Sequence, residues 1–170
     1  RRQREIKSKL LGIMFVRIPL LDPQNLLKRF DSLIRIIVSP FGAVLWFLVV
    51  AAAVKLVVDH IDTVTQQVEG ILAPSNLLLL YLGLVVIKTL HEFGHAAVCR
   101  RFGGEVHTMG VMLLVFTPLP YMDATSSWSF RSRWHRALVG AAGMITEIFV
   151  AGLAVFVWAN TGQGTLHSLA

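Results

Sequence analysis

Charge is the first thing this chain lacks. Only 15% of its 170 residues are Asp, Glu, Lys or Arg, against about 25% in an ordinary soluble domain. The shortage goes with an excess: 55% of residues are hydrophobic even before the 13 glycines are counted. Such a chain is not disordered, and it has too little polar surface to cover itself as a soluble domain does. A single cysteine, Cys99, excludes an internal disulfide framework. The fold must stand on packing, lipid or metal, and the length allows one domain. No secretory signal peptide is expected, because the apolar stretch after Arg1 to Arg4 is broken by Lys7, Lys9, Arg17 and Pro19 and has no small-residue cleavage site. The start without Met and the stop just after a long apolar stretch read as a fragment of something larger.

What is present resolves into three apolar runs. Residues 36–58 give 23 residues broken only by Lys55, or roughly 35 Å of helix at about 1.5 Å per residue. Residues 77–98 form a second run, with Lys88, His91, Glu92 and His95 in its latter half, and 137–159 a third, interrupted by Glu147. The predicted class is an all-α membrane protein with three transmembrane helices. Residues 1–35 hold nine Lys and Arg against three acids, residues 59–75 hold three acids and neither Lys nor Arg, and residues 99–136 hold five Arg against two acids. The positive-inside rule then predicts a cytoplasmic N-terminus, an outer first loop and a cytoplasmic second loop. The net charge of +6 is thereby a topological signal. No aromatic and basic interleaving accompanies it, so no nucleic-acid partner is expected.

Two shorter features flank the spans. Asp22 and Pro23 read as a helix start, and Leu26, Leu27, Phe30, Leu33, Ile34 and Ile37 follow at helical spacing. This predicts an amphipathic helix, lying at the cytoplasmic interface or packed on a soluble part of the protein. Residues 1–35 are accordingly expected as a basic interfacial segment and 36–170 as the membrane-embedded domain. Val111 to Phe116 are apolar but too few to cross as a helix, and glycines and prolines bound them. A short strand-like or re-entrant segment shielded by protein is expected, set against the charged half of the second span. Its edge is a candidate for holding an extended substrate by strand addition.

His91-Glu92-Phe93-Gly94-His95 is the arrangement that states a reaction. Residues four apart share a helix face, so both imidazoles can bind one Zn2+ while Glu92 is offset enough to hold a water. Zinc with three protein ligands and an open position lowers the pKa of bound water to about 7, and a neighbouring carboxylate can take the proton as that water attacks a peptide carbonyl. Three ionisable groups this close inside an apolar span are costly, each by roughly 2.5–3.5 kcal/mol on insertion scales. A proton or ion relay is the competing reading of such a cluster.

At this motif the chain resembles the site-2 protease family of intramembrane zinc metallopeptidases. The run from His91 through Arg101-Phe102-Gly103-Gly104, with Phe116-Thr117-Pro118-Leu119-Pro120-Tyr121-Met122-Asp123, is most similar to a bacterial subgroup of peptide zinc metalloproteases associated with peptide maturation and export. The resemblance covers about residues 10–160. It implies Zn2+ held by His91 and His95, Glu92 as general base, and cleavage of peptide bonds in or near the bacterial inner membrane. It implies lipid, a peptide or membrane-protein substrate and export-system adaptors as partners. A non-hydrolytic component of an export system and an ion or proton pathway stand as the alternatives.

The resemblance also implies a third ligand, the Asp of an Asn-x-x-Pro-x-x-x-x-Asp-Gly motif. Pro118 and Asp123 match that spacing, but Val115 and Ala124 stand at its Asn and Gly positions. Asp123 also precedes the third span, whereas the family's Asp follows an intervening one. The ligand is thus Asp123 or an Asp beyond residue 170. Glu147, in mid-span, is expected either to pair with the His-bearing helix or line a water path, or to make a structural interhelical bond. Lys88 reads as a packed or snorkelling charge. Trp46 and Trp158 read as lipid-facing or interfacial aromatics, and residues 133–136 as the cytoplasmic anchor of the third span. His60, His107 and His167 have no partner at ligand spacing. The small residues at 140–143 and 151–152 suggest close packing of the third span.

Overall fold

The apolar runs fold as helices whose ends are set by local chemistry. The computed structural model describes residues 15–71, 73–114 and 117–161. In chain order its elements are strand β1 (Phe15–Leu21), short helices α1 (Gln24–Arg29) and α2 (Asp31–Ile37), long helix α3 (Pro40–Asp59), and helix α4 (Ile61–Ile71). A 3-10 turn at Pro74–Asn76 leads into long helix α5 (Leu77–Arg101). Strands β2 (Met109–Leu114) and β3 (Thr117–Met122), a second 3-10 turn and long helix α6 (Arg133–Asn160) follow.

Ser39 caps α3 by accepting a bond from the Gly42 amide at 3.2 Å, and Pro40 takes the first helical position, where its missing N–H costs nothing. Ser132 starts α6 in the same way, through the His135 amide. Gly103, at φ 85°, supplies the left-handed residue that turns the chain off the end of α5. The expected amphipathic helix after Asp22 forms in two pieces. Asp22 accepts from the Gln24 amide at 2.8 Å, but the chain breaks at Phe30. Asp31 then opens α2, with its carboxylate bonded to Arg35 at 2.8 Å and lying 3.3 Å from Arg100 at the end of α5. Leu27 and Ile34 nevertheless point inward as the spacing requires, onto a small core with Ala96, Cys99, Val106 and Val139.

The structure corrects the all-α expectation, because a three-stranded antiparallel sheet in the order β1-β2-β3 accompanies the helices. The apolar stretch at 111–116 does contain a strand, but that strand is central. β1 pairs on one side of it and β3 on the other, so it offers no free edge to a substrate. Proline placement follows the same logic: Pro19, Pro118 and Pro120 all lie in the two outer strands, and the central strand has none. β1 was hidden in the sequence because Arg17 and Pro19 interrupt its alternation and its pairing partner lies about ninety residues away. β3 lies along α5, where the Tyr81 hydroxyl donates to the Pro118 carbonyl at 3.1 Å.

Helices α5 and α6 make the most extensive contact in the fold, and α3 packs on the other side of α6. Trp46 of α3 is not a free aromatic: its indole N–H donates to the Ile145 carbonyl of α6 at 2.9 Å. Gly152 of α6 sits 3.6 Å, measured from an added Cβ, from Val49 and Ala53 of α3. All three long helices are long and apolar enough to cross a membrane. Their apolar surface is mostly uncovered by protein: 22% of the apolar window is buried for α6, 6% for α3 and none for α5.

Candidate metal centre

α5 runs unbroken through residues 91–95, so its geometry alone puts His91 and His95 on one face. Their Nε2 atoms come to 3.0 Å of each other. The opposite nitrogen of each ring is turned toward an acceptor on α6. His95 Nδ1 lies 2.5 Å from the Val139 carbonyl oxygen, and His91 Nδ1 lies 3.1 Å from Oε1 of Glu147. A carbonyl can only accept, so the His95 proton belongs on Nδ1 and its Nε2 lone pair faces Nε2 of His91. The His91 contact has hydrogen-bond length but not direction, and that nitrogen is otherwise buried without a partner among the described residues.

The site is assembled by an antiparallel helix pair in register. His95 lies six residues before the end of α5 and Val139 six after the start of α6, while His91 and Gly143 each lie ten from the same ends. Gly143 is the place where α6 gives way to the His91 ring, since a Cβ there would run into the ring's Nε2, Cε1 and Cδ2. Gly94 does the reciprocal service, because a Cβ there would lie 2.9 Å from the Ala142 carbonyl oxygen and collide with the Thr146 hydroxyl. One turn earlier on α5, Lys88 Nζ is 2.6 Å from the same Oε1 of Glu147. Lys88 is therefore paired to the next span, and Glu147 joins the His-bearing helix.

Glu92 points to the other side of His95, toward the sheet. Its carboxylate faces the Met122 backbone amide at the end of β3. Together with His95 it lines a cavity of about 590 Å³, whose other walls include Arg17, Tyr121, Asp123, Trp128 and Arg136. Asp123 reaches this cavity, but its Oδ1 accepts from the Thr125 amide at 2.9 Å and its own amide donates to Thr108 at 3.0 Å. The bond from Thr125 holds its carboxyl below the usual carboxylate range. Among the described residues, no group of three His, Cys, Asp or Glu side chains converges as a ligand set. The structure thus brings His91 and His95 together, with Glu92 beside His95, and leaves Asp123 at the cavity wall holding its own turn.

The donor set fits a zinc ion. Bonds of about 2.0–2.1 Å at tetrahedral angles put two nitrogens roughly 3.3–3.4 Å apart, close to the 3.0 Å seen. A cation between the two Nε2 atoms would take the lone pair of His95 and, with the His91 proton on Nδ1, that of His91 as well. Each ring also has its other nitrogen turned to a carbonyl or carboxylate, as zinc-binding histidines do. Sequence reasoning missed the Val139 carbonyl, which carries no side-chain signal, and the slot at Gly143, which becomes legible only once the register of α5 and α6 is known. His107 and His60 have partners, in Glu105 and Asp22 for the first and the Trp158 ring for the second. His167 lies outside the described residues.

No curated protein and no solved structure matches the chain. The model for peptidase family M50 matches residues 79–169, a stretch that holds α5 from its third residue onward and the whole of α6. Spanning more than half of the chain and the whole of the histidine pair with its supporting helix, that match places the chain in peptidase family M50, the site-2 protease family of metallopeptidases.

Proposed function

We propose that the chain is an integral membrane zinc endopeptidase that cleaves peptide bonds at membrane depth, with His91 and His95 as metal ligands and Glu92 as general base. The observation that carries this reading is the facing pair of Nε2 atoms at 3.0 Å, each ring turned outward to an acceptor on α6. Zinc held there would supply a Lewis acid that polarises the scissile carbonyl and brings the pKa of water to about 7. Glu92 lies on the cavity side of His95, so its carboxylate is placed to take the proton of the attacking water and return it to the leaving amine. The cavity opens between α5 and the sheet, a space that takes an extended segment better than a helix. The substrate is accordingly a peptide or membrane protein whose helix is locally unwound. Asp123 stands on the wall of the same cavity as a candidate third ligand, at the cost of its bond to Thr125. By the distribution of Lys and Arg, the basic segments before α3 and between α5 and α6 face the cytoplasm of a bacterial cell.

Zinc content of the purified chain in detergent micelles tests the assignment. His91→Ala and His95→Ala should each remove tight zinc binding, and a chelator should stop peptide cleavage by the parent. Retention of zinc at the parent level in both variants would overturn it.

A further inference from the structure

His95 and His91 are anchored differently, and the difference assigns work to Glu147. His95 turns its Nδ1 to a backbone carbonyl, which no side-chain substitution removes. His91 turns its Nδ1 to a side chain, Oε1 of Glu147, at 3.1 Å. We propose that Glu147, held by Lys88, is the positioning residue for His91, deciding which ring nitrogen carries the proton and which faces the metal site.

Three observations support this beyond the distance. First, Oε1 of Glu147 is also the atom that Lys88 grips at 2.6 Å, so the carboxylate is oriented from the α5 side and cannot swing away freely. Second, the slot at Gly143 receives the Nε2 end of the His91 ring and offers it no acceptor, since that surface is a bare Cα. The buried Nδ1 makes no aligned hydrogen bond among the described residues, and the Glu147 carboxylate 3.1 Å away is the acceptor placed beside it. Third, Lys88, His91, Gly143 and Glu147 meet at one level of the antiparallel helix pair. An ion pair that served only to join α5 and α6 could sit at any level. This one sits beside the ring of a proposed ligand, as carboxylates behind zinc-binding histidines do.

The inference rests on the metal-site reading, and the test separates the two. The parent, Glu147→Leu, Glu147→Gln and the double variant Lys88→Met with Glu147→Leu are purified in micelles. Each is measured for Zn2+ affinity by chelator competition, for its Co2+ absorption spectrum, and, metal-free, for the ring 15N shifts of His91. Glu147→Leu should lose the single Nδ1-protonated form of His91, alter the Co2+ spectrum and weaken Zn2+ binding by about 10–100-fold. Glu147→Gln, whose amide oxygen accepts the same bond, should keep most of the affinity. The double variant, with no unpaired charge left between the helices, should recover thermal stability but not Zn2+ affinity. A double variant that binds Zn2+ as the parent does, with the parent's Co2+ spectrum, would overturn the proposal and leave a pair that only joins helices. His91→Ala is the control on the underlying reading: if it leaves Zn2+ affinity intact the metal-site reading fails, while the metal-free 15N shifts still decide what Glu147 does to the ring.

Discussion

At the scale of single residues, the site is as much a matter of space as of ligands. Gly143 is needed because the His91 ring occupies the volume a side chain would take. Gly143→Ala should therefore displace the ring and weaken zinc binding at least tenfold while circular dichroism shows the helices intact. Gly140→Ala, on the same helix but facing open space, should change neither. Equal zinc affinity in the two variants would show that the ring does not depend on that slot. That His91 and His95 share a face was legible in the sequence, because a four-residue spacing on a helix has one geometric meaning. The Val139 carbonyl was not, since every residue has one. The bond of Trp46 was not legible for a related reason: its donor finds a backbone acceptor on another helix, a pairing that leaves no trace in side-chain pattern.

Among elements, the long helices and the central strand were legible, and the two outer strands were not. Apolar runs of twenty or more residues carry their own signal, but the helix starts fall at Pro40 and Arg133 rather than at 36 and 137, because Ser39 and Ser132 cap them there. A strand such as β1 gains its stability from a partner far along the chain, so its local sequence, with Arg17 and Pro19, looks like an interfacial basic segment. The turn from α5 toward the sheet is held at the surface by His107. The bond to Glu105 first, and that to Asp22 second, raise the His107 pKa above its ordinary 6.5. The stabilising interaction of a group raised in this way is complete below the ordinary value and fades as pH rises through the higher folded one. An NMR titration should thus find the His107 midpoint above 6.5, and Asp22→Asn should lower it. A midpoint at or below 6.5 in the parent would remove the case for this tether.

For the whole molecule, the sheet constrains topology in a way the charge distribution alone does not. β1 precedes α3, and β2 and β3 follow α5, yet the three strands pair in one sheet. The end of the sheet at Leu21, Met109 and Met122 therefore lies on one side of any membrane that α3 and α5 cross, while its other end runs down α5 to Tyr81. Measured from the Arg101 end of α5, His95 lies about 9 Å and His91 about 15 Å along the helix, at 1.5 Å per residue. The histidine pair is thus set between the two ends of the sheet, next to the cavity between sheet and helix. The division of labour between the histidine pair and Glu92 is the central claim, and Glu92→Gln tests it most directly. Zinc content and peptide cleavage are measured on the same preparation in micelles. The account predicts zinc bound as in the parent and cleavage reduced by about 10²–10⁴-fold; cleavage at the parent rate with zinc still bound would contradict it.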